Sequence, residues 1–321
     1  MLDRVLGLAS LVPFAIGALA APAAAPSSVD FAFQDPAIVE SSGLVVRDGL
    51  FLTTNDSGDG GRVFVVDGAG RTVGSTSWGP EPSDVEALAP AEPGYVSVAD
   101  IGDNSAARES ITVLHVPYGR TAQEVEPTAY TLVYPDHPHD AETLLAHPRT
   151  GQLFVVSKNV FGGTVYAAPR TLSATGPNEL REVADPVKGV ATDGSFFPDG
   201  RHYVLRDYVD ATVYTFPGHE PIGSFPLPAQ RQGEGIAVDE RDVVHVSTEG
   251  QFTEVRSVGV PRGLARAMQP EEPVKPEAAQ PPAEQQPAGD EPVWPWVLIG
   301  VTAAGFVLLV LRKLIRHGAA P

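Results

Sequence analysis

The sequence repeats Ser42-Gly43-Leu44 in altered form as Glu86-Ala87-Leu88, Glu142-Thr143-Leu144, Asp193-Gly194-Ser195 and Glu234-Gly235-Ile236. Each cluster places an acidic or hydroxyl residue ahead of a strand-like segment, and the clusters follow one another at intervals of 41 to 56 residues. A period of about 40 to 50 residues is typical of the four-stranded blades of a β-propeller. The repeat therefore predicts an all-β propeller.

Short alternating runs of hydrophobic residues fill residues 29–261, with Gly, Pro, Asn and Asp between them, as in all-β domains. Five blades are favoured, and a count of six stays open. A β-sandwich is the alternative, but it does not account for a cluster that recurs at blade length. The fifth repeat lacks an outer strand, whereas residues 29–33 form an unassigned strand, so we expect the two ends of the chain to close one blade.

Both ends of the chain carry targeting patterns. Residues 1–25 combine Arg4, an apolar run and Ala23-Ala24-Ala25, which is typical of a secretory signal peptide. Residues 293–311 contain no charge and are long enough to cross about 30 Å of hydrocarbon as a transmembrane helix. The basic residues of the following tail, 312–321, predict that this tail is cytoplasmic. The propeller, residues 29–262, is then exported and attached to the cell membrane by a single pass.

Residues 263–292 are rich in Pro, Ala, Glu and Gln, a composition that predicts a disordered, extended spacer. The net charge of −18 argues against nucleic acid as a ligand. Because the chain has no cysteine, the exported domain must be stabilised by its hydrophobic core rather than by disulfides.

In a propeller, equivalent positions of the innermost strands converge on the central axis. The predicted axial residues are Ser42, Glu86, Glu142, Asp193 and Glu234. Four carboxylates that face one channel repel each other unless they are protonated, hydrogen-bonded or bridged by a cation. Oxygen ligands favour calcium. We therefore predict that Glu86, Glu142, Asp193 and Glu234 bind Ca²⁺, or order a water cluster, at the channel mouth.

A purely structural role for these acids remains open, with the carboxylates accepting backbone N–H groups of neighbouring blades. Lys158 and Arg206 follow second strands and could neutralise the acids through salt bridges instead. The loops 55–61 and 100–104 are rich in Asn, Asp and Gly, and turn formation is favoured over ligand binding for both. The segment His137-Pro138-His139-Asp140-Ala141-Glu142 is interpreted as a surface loop rather than a metal site, because the proline constrains whether both imidazoles can turn to one point.

Four segments together carry a resemblance to a known group: Thr54-Asn55-Asp56-Ser57-Gly58-Asp59, Asp100-Ile101-Gly102-Asp103-Asn104, His139-Asp140-Ala141-Glu142 and Gly233-Glu234-Gly235-Ile236. They resemble exported, membrane-anchored actinobacterial propeller proteins. More distantly, the chain is similar to the superfamily of esterase-like phytase domains and calcium-dependent lactonases. That resemblance implies ligand or catalytic roles for Glu86, Glu142 and Glu234, together with Asp193. Ser42 departs from it, because an acid is expected there.

No serine-nucleophile elbow, phosphate loop or zinc-protease motif occurs in the sequence. The favoured function is a surface-displayed binding or scaffold module for an extracellular protein, glycan or small molecule. The alternative is a calcium-dependent esterase or lactonase, with Glu142 or Glu234 as the general base. The sequence leaves open whether the protein is an enzyme.

Overall fold

The computed structural model describes residues 26–56 and 58–269. These residues belong to the first of two compact units, Met1–Pro270, and the second unit, Glu271–Pro321, lies outside them. The predicted signal peptide, residues 1–25, transmembrane segment, 293–311, and tail, 312–321, also lie outside the described residues. Within residues 26–56 and 58–269, no helix is long and apolar enough to span a bilayer.

Five separate sheets, each with an antiparallel core of strands, make up the described domain, which confirms the five-bladed propeller. Strand β1 (Ser27–Ala32) precedes blade one, which contains β2 (Gly43–Arg47), β3 (Leu50–Thr54), β4 (Arg62–Asp67) and β5 (Thr72–Ser77). Blade two contains β6 (Val85–Pro90), β7 (Tyr95–Asp100), β8 (Ile111–Pro117) and β10 (Thr128–Val133). Blade three contains β11 (Ala141–Ala146), β12 (Leu153–Ser157), β13 (Gly163–Ala167) and β15 (Arg181–Val187). Blade four contains β16 (Asp193–Phe196), β17 (His202–Arg206), β18 (Asp210–Thr215) and β19 (Pro221–Pro226). Blade five contains β20 (Gly233–Val238), β21 (Val244–Thr248) and β22 (Glu254–Val258).

The first strand of the domain completes the last blade, as predicted. Strand β1 pairs with β22, with Ser28 opposite Ser257, and the two hydroxyls are 2.8 Å apart. The imidazole of His245 adds a contact of 2.8 Å to Asp30. Strand β1 is thus the outer strand of blade five, and this pairing joins the two ends of the propeller.

The innermost strands β2, β6, β11, β16 and β20 form a ring in which each strand contacts its two neighbours. Gly43 shows how closely they approach, because an added Cβ would lie 2.5 Å from the backbone nitrogen of Leu88. Between the blades lie buried apolar residues such as Leu52, Val98 and Val204. This packing fixes the inner ends of all five strands around one axis.

Three elements were not predicted. The short strands β9 (Ala122–Glu124) and β14 (Asn178–Glu179) pair in parallel with the outer strands of blades one and two. Helix α1 (Arg262–Ala267) packs Leu264 against the hydrophobic core of blades four and five. The folded part therefore continues past residue 262, where the sequence pattern placed the start of the disordered spacer.

Candidate functional site

Three of the predicted axial acids share a local distortion of the backbone. The register of the innermost strand shifts by one residue between Val85 and Ala87, between Ala141 and Thr143, and between Gly233 and Ile236. Glu86, Glu142 and Glu234 lie within these β-bulges. A bulge re-aims a side chain relative to a regular strand, and bulges are common beside functional sites.

The bulged glutamates surround a cavity of about 170 Å³ at the amino ends of the innermost strands. It is lined by Ser42, Asp56, Asp84, Glu86, Asn104, Glu142, Lys158, Tyr208, Gln232, Glu234 and Glu249. Among these described lining residues, Lys158 is the sole cation. We call this cavity the acidic mouth.

Within the acidic mouth, the carboxylates of Asp56, Asp84 and Glu86 form a cluster. One oxygen of each lies within 4.8 Å of the others. Glu86 is predicted as a ligand, whereas Asp84 is not, although it immediately precedes β6. The one sequence feature that could have identified Asp84 is its position, two residues before the repeated glutamate Glu86.

Asp100, at the end of β7, positions this carboxylate cluster rather than joining it. Its two carboxylate oxygens accept the backbone N–H groups of Ser83 and Asp84, each at 3.0 Å. Arg108 pairs with Asp100 at 2.9 Å and donates to the carbonyl of Gly102 at 2.8 Å. The loop that follows β7 is therefore fixed to the segment that bears Asp84.

Gly102 leaves space for two of the clustered carboxylates. A Cβ at this position would lie 2.4 Å from an Asp84 carboxylate oxygen and 2.7 Å from one of Glu86. Any other residue would therefore push these side chains away from their present positions. The loop 100–104 was interpreted from the sequence as turn chemistry, and the structure shows that its glycine also shapes the acidic mouth.

Loop 55–61 combines turn contacts with one residue of the mouth. The Asn55 side chain accepts the N–H groups of Val39 and Glu40 and donates to Asp59 at 2.8 Å. Asp59 forms an ion pair with Arg62 at 2.7 Å. These contacts agree with the turn interpretation, whereas Asp56 lines the mouth.

Burial, followed by mutual repulsion, raises the pKa values of Glu86, Asp84 and Glu234 in the mouth. Burial, followed by the charge of Asp56, raises the pKa of Glu86 to about 10. Burial, again followed by Asp56, raises the pKa of Asp84 to about 6. Burial and the charge of Glu142 raise the pKa of Glu234 to about 7. Such shifts indicate that burial and the neighbouring carboxylates outweigh the single positive charge of Lys158 in the mouth.

Lys158 neutralises one acid of the ring, as the sequence suggested. Its ammonium group forms an ion pair with Glu142. Burial nevertheless raises the pKa of Glu142 to about 7, because desolvation of the carboxylate outweighs the attraction of Lys158. The second oxygen of Glu142 is buried and has no hydrogen-bond partner among the described residues. This side chain is 7% exposed and lines the mouth.

Asp193 does not line the acidic mouth, although it belongs to the predicted ligand set. It is fully buried in β16, where the strand register is regular. Its carboxylate accepts the N–H groups of Gly194 and Ile236, each at 2.8 Å. Without a bulge, the side chain faces the neighbouring blade instead of the cavity. Its contacts correspond to the structural role left open by the sequence.

Arg206 also has a structural position. It is fully buried and donates to the backbone carbonyls of Gly235 at 3.1 Å and Ser247 at 3.3 Å. Among the described residues it forms no ion pair with the acids of the mouth. It therefore joins blades four and five, and its charge acts on Glu234 and Asp193 without a direct ion pair. Ser42, in blade one, lines the mouth and donates to the backbone carbonyl of Glu86 at 3.1 Å.

A larger cavity of about 640 Å³ lies at the opposite, carboxyl ends of the innermost strands. Its lining includes apolar side chains such as Leu144 and Phe196, with Arg47 and Arg149 among its polar residues. No sequence pattern predicts this cavity, because its lining comes from separate blades and loops. It contains none of the predicted site residues.

No protein-family model and no curated protein matches the chain. Among solved structures, a glutaminyl cyclase from Myxococcus xanthus is similar, with 12% identity and a TM-score of 0.47 over 73% of this chain and 97% of that chain. A gluconolactonase from Xanthomonas campestris has 12% identity and a TM-score of 0.43, over 73% of this chain and 88% of that chain. A glucose dehydrogenase has 10% identity and a TM-score of 0.44, over 74% and 100%. Scores this low carry no argument about activity, so the function must be argued from the acidic mouth itself.

Proposed function

We propose that the acidic mouth binds one calcium ion and hydrolyses small esters or lactones. The observation that carries this proposal is the convergence of Asp56, Asp84 and Glu86 within 4.8 Å, in a cavity that also contains Glu234. This is the second of the two functions that the sequence left open. The first, a binding or scaffold role, stays a prediction.

The residues of the mouth fit calcium in three ways. All three clustered donors are carboxylates, which calcium prefers, and Asn104 and Gln232 supply further side-chain amides in the same cavity. Burial and then the charge of Asp56 raise the pKa of Glu86, and a divalent cation would offset both effects by favouring the ionised carboxylate. Gly102 keeps clear the space beside Asp84 and Glu86.

A bound calcium ion would act as a Lewis acid that polarises the substrate carbonyl. Glu234 has a pKa near 7, which suits a general base at neutral pH, and it can remove a proton from the attacking water. Asp56, Asp84 and Glu86 would hold the cation, and Lys158 keeps the charge of Glu142 balanced. The volume of about 170 Å³ is smaller than a typical drug-sized pocket, which favours small substrates over polymers.

Replacement of Glu234 by Gln should lower kcat for a chromogenic aryl ester or a small lactone by about 10² to 10⁴, because an amide cannot accept the proton. The assay uses the full chain in saturating calcium, and calcium affinity should change much less than kcat. Glu220→Gln, at an exposed position of blade four, is the matched control. Unchanged turnover in the Glu234→Gln variant would exclude this role for Glu234.

The same experiment separates hydrolysis from binding alone. If the wild-type chain binds calcium but turns over none of a broad panel of esters and lactones, the mouth serves to hold a ligand. That outcome would favour the binding role that the sequence suggested. Turnover that requires calcium would favour the hydrolase.

Substitution of Gly102 by Ala should weaken calcium binding at least about tenfold, since the added methyl group displaces Asp84 and Glu86 from the cluster. The melting temperature without calcium should change little, because the atoms displaced are ends of side chains that can rotate. Calorimetric titration of the full chain measures the affinity. Gly60→Ala is the control, since its Cβ would meet nothing within 4 Å. Equal calcium affinity of Gly102→Ala and wild type would place the ion elsewhere.

We also propose that this domain is displayed on the outer face of the cell membrane, attached through residues 293–311 and separated from it by the Pro-rich segment. The support is the sequence pattern alone, with its apolar run followed by basic residues. In that position, the mouth would meet extracellular calcium, for which weak sites are sufficient.

A further inference from the structure

The loop between β10 and β11 brings together three side chains that can ligate a transition metal. Asp136, His137 and His139 each offer one donor atom, and these atoms all lie within 4.8 Å of one another. The sequence analysis interpreted the two histidines as part of a surface loop and did not include Asp136. This cluster is separate from the residues that line the acidic mouth.

Two donor–donor distances within the cluster are close to those of a tetrahedral zinc site. Nδ1 of His137 lies 3.0 Å from one carboxylate oxygen of Asp136, and Nε2 of His139 lies 3.1 Å from the other. Metal–ligand bonds of about 2.0 to 2.2 Å at tetrahedral angles separate neighbouring donors by about 3.3 to 3.5 Å. Zinc could therefore replace the hydrogen-bonded protons if the donor atoms moved apart by a few tenths of an ångström.

Pro138 does not prevent the two imidazoles from facing one point. Their ring centroids are 4.2 Å apart, and both rings reach the Asp136 carboxylate. The backbone of the loop places the two histidines on the same side, with the carboxylate between them. The obstacle suggested by the intervening proline is therefore absent.

The surroundings hold His139 in place. Its ring packs against Tyr134 and Tyr166, with centroids 4.9 and 5.2 Å away. The Tyr166 hydroxyl lies 2.8 Å from Nε2, and zinc bound to this nitrogen would replace that contact. The next residue, Asp140, is fixed by backbone groups of Lys158 and Asp103. One ligand is thus rigid, while Asp136 and His137 are exposed and free to adjust to an ion.

We propose that Asp136, His137 and His139 form a binding site for zinc(II). Imidazole donors suit zinc and related transition metals and are poor ligands for calcium, so this site and the acidic mouth would select different ions. Three protein ligands leave a fourth position for water or for a group of an incoming ligand. The Tyr166 hydroxyl is near enough to donate a hydrogen bond to such a water.

Zinc titration of the full chain, with calcium present in excess, tests this site. We expect one zinc ion per chain, with a Kd that His137→Ala and Asp136→Asn each weaken at least about tenfold. Because both side chains are exposed, neither change should alter the melting temperature without zinc. Cobalt(II) in place of zinc should give the visible absorption of a tetrahedral site.

The control is His115→Gln, which removes an imidazole that pairs with a single carboxylate, Glu92, at 3.0 Å. Zinc affinity should be the same in this variant and in Glu86→Gln. Equal zinc affinity of His137→Ala, Asp136→Asn and wild type would overturn the proposal. Loss of zinc binding in Glu86→Gln alone would also overturn it, since the ion would then occupy the acidic mouth.

Discussion

Calcium at about 100 times its Kd should raise the melting temperature of the chain by about 5 to 11 °C at neutral pH. A ligand that binds only the folded state stabilises it by about 2.7 kcal/mol at that concentration. For a domain of this size, each kcal/mol raises the melting temperature by about 2 to 4 °C. Thermal unfolding of the full chain with calcium and with a chelator measures the difference.

The calcium effect should grow as the pH rises. The folded-state pKa values of Glu86, about 10, and of Glu142 and Glu234, about 7, exceed the ordinary value of 4.5. An acid with a raised pKa stabilises the folded state below its unfolded pKa, and this stability is lost as the pH rises towards the folded pKa. Without calcium, these groups should therefore lower the stability progressively between about pH 4.5 and 10. At high pH, bound calcium offsets the repulsion between the ionised carboxylates, so its stabilising effect is large. At low pH, protons compete with calcium for the carboxylates, so its effect is small.

Two variants locate the ion. Glu86→Gln and Asp84→Asn remove charge from the cluster, so each should abolish most of the calcium effect. Glu86→Gln should also raise the stability of the calcium-free chain at high pH, because it removes a carboxylate that is costly to ionise. Glu220→Gln should behave as the wild type does. A calcium effect that persists in both cluster variants would contradict the assignment.

The number of blades and the closure could be predicted because each blade repeats the same pattern of strands and turns. A cluster at a regular interval indicates one structural unit per repeat, and an unassigned strand at residues 29–33 had only one incomplete blade to join. Strands β9 and β14 gave no such signal. They are only two or three residues long and pair with an outer strand from a different part of the chain.

Prediction of the site was less complete, because sequence spacing does not show where a strand is distorted. Glu86, Glu142 and Glu234 reach one cavity through bulges, but Asp193 occupies the same place in the repeat without a bulge. Asp84 and Asp56 join the mouth from loops, and their contribution depends on how Asp100 and Gly102 position the chain. Because such tertiary contacts do not recur at a fixed spacing in the sequence, they could not be predicted from the repeat.

Asp136 illustrates the same limit at the histidine loop. The two histidines are visible in the sequence, but the proline between them constrains whether both rings can turn to one point. Only the folded loop shows that both rings face one carboxylate. This loop differs from the surroundings of the other histidines in the described domain because its three donor atoms lie close together.

Asp193→Ala should lower the stability of the domain by about 3 kcal/mol, because it leaves the N–H groups of Gly194 and Ile236 without their acceptor. Strands β16 and β20 are the innermost strands of their sheets. In the described domain, no further strand of these sheets lies beside them to offer a carbonyl acceptor to these N–H groups. We expect the melting temperature to fall by about 6 to 12 °C.

Asp193→Asn keeps the size and one acceptor of this side chain, so it should cost less than Asp193→Ala. Thermal unfolding in a chelator measures both variants, and Glu182→Ala, at an exposed position of β15, is the control. The calcium-induced rise in melting temperature should survive in both, since Asp193 lies outside the acidic mouth. If Asp193→Ala instead kept the wild-type stability and lost the calcium effect, Asp193 would be a ligand rather than the connection between blades four and five.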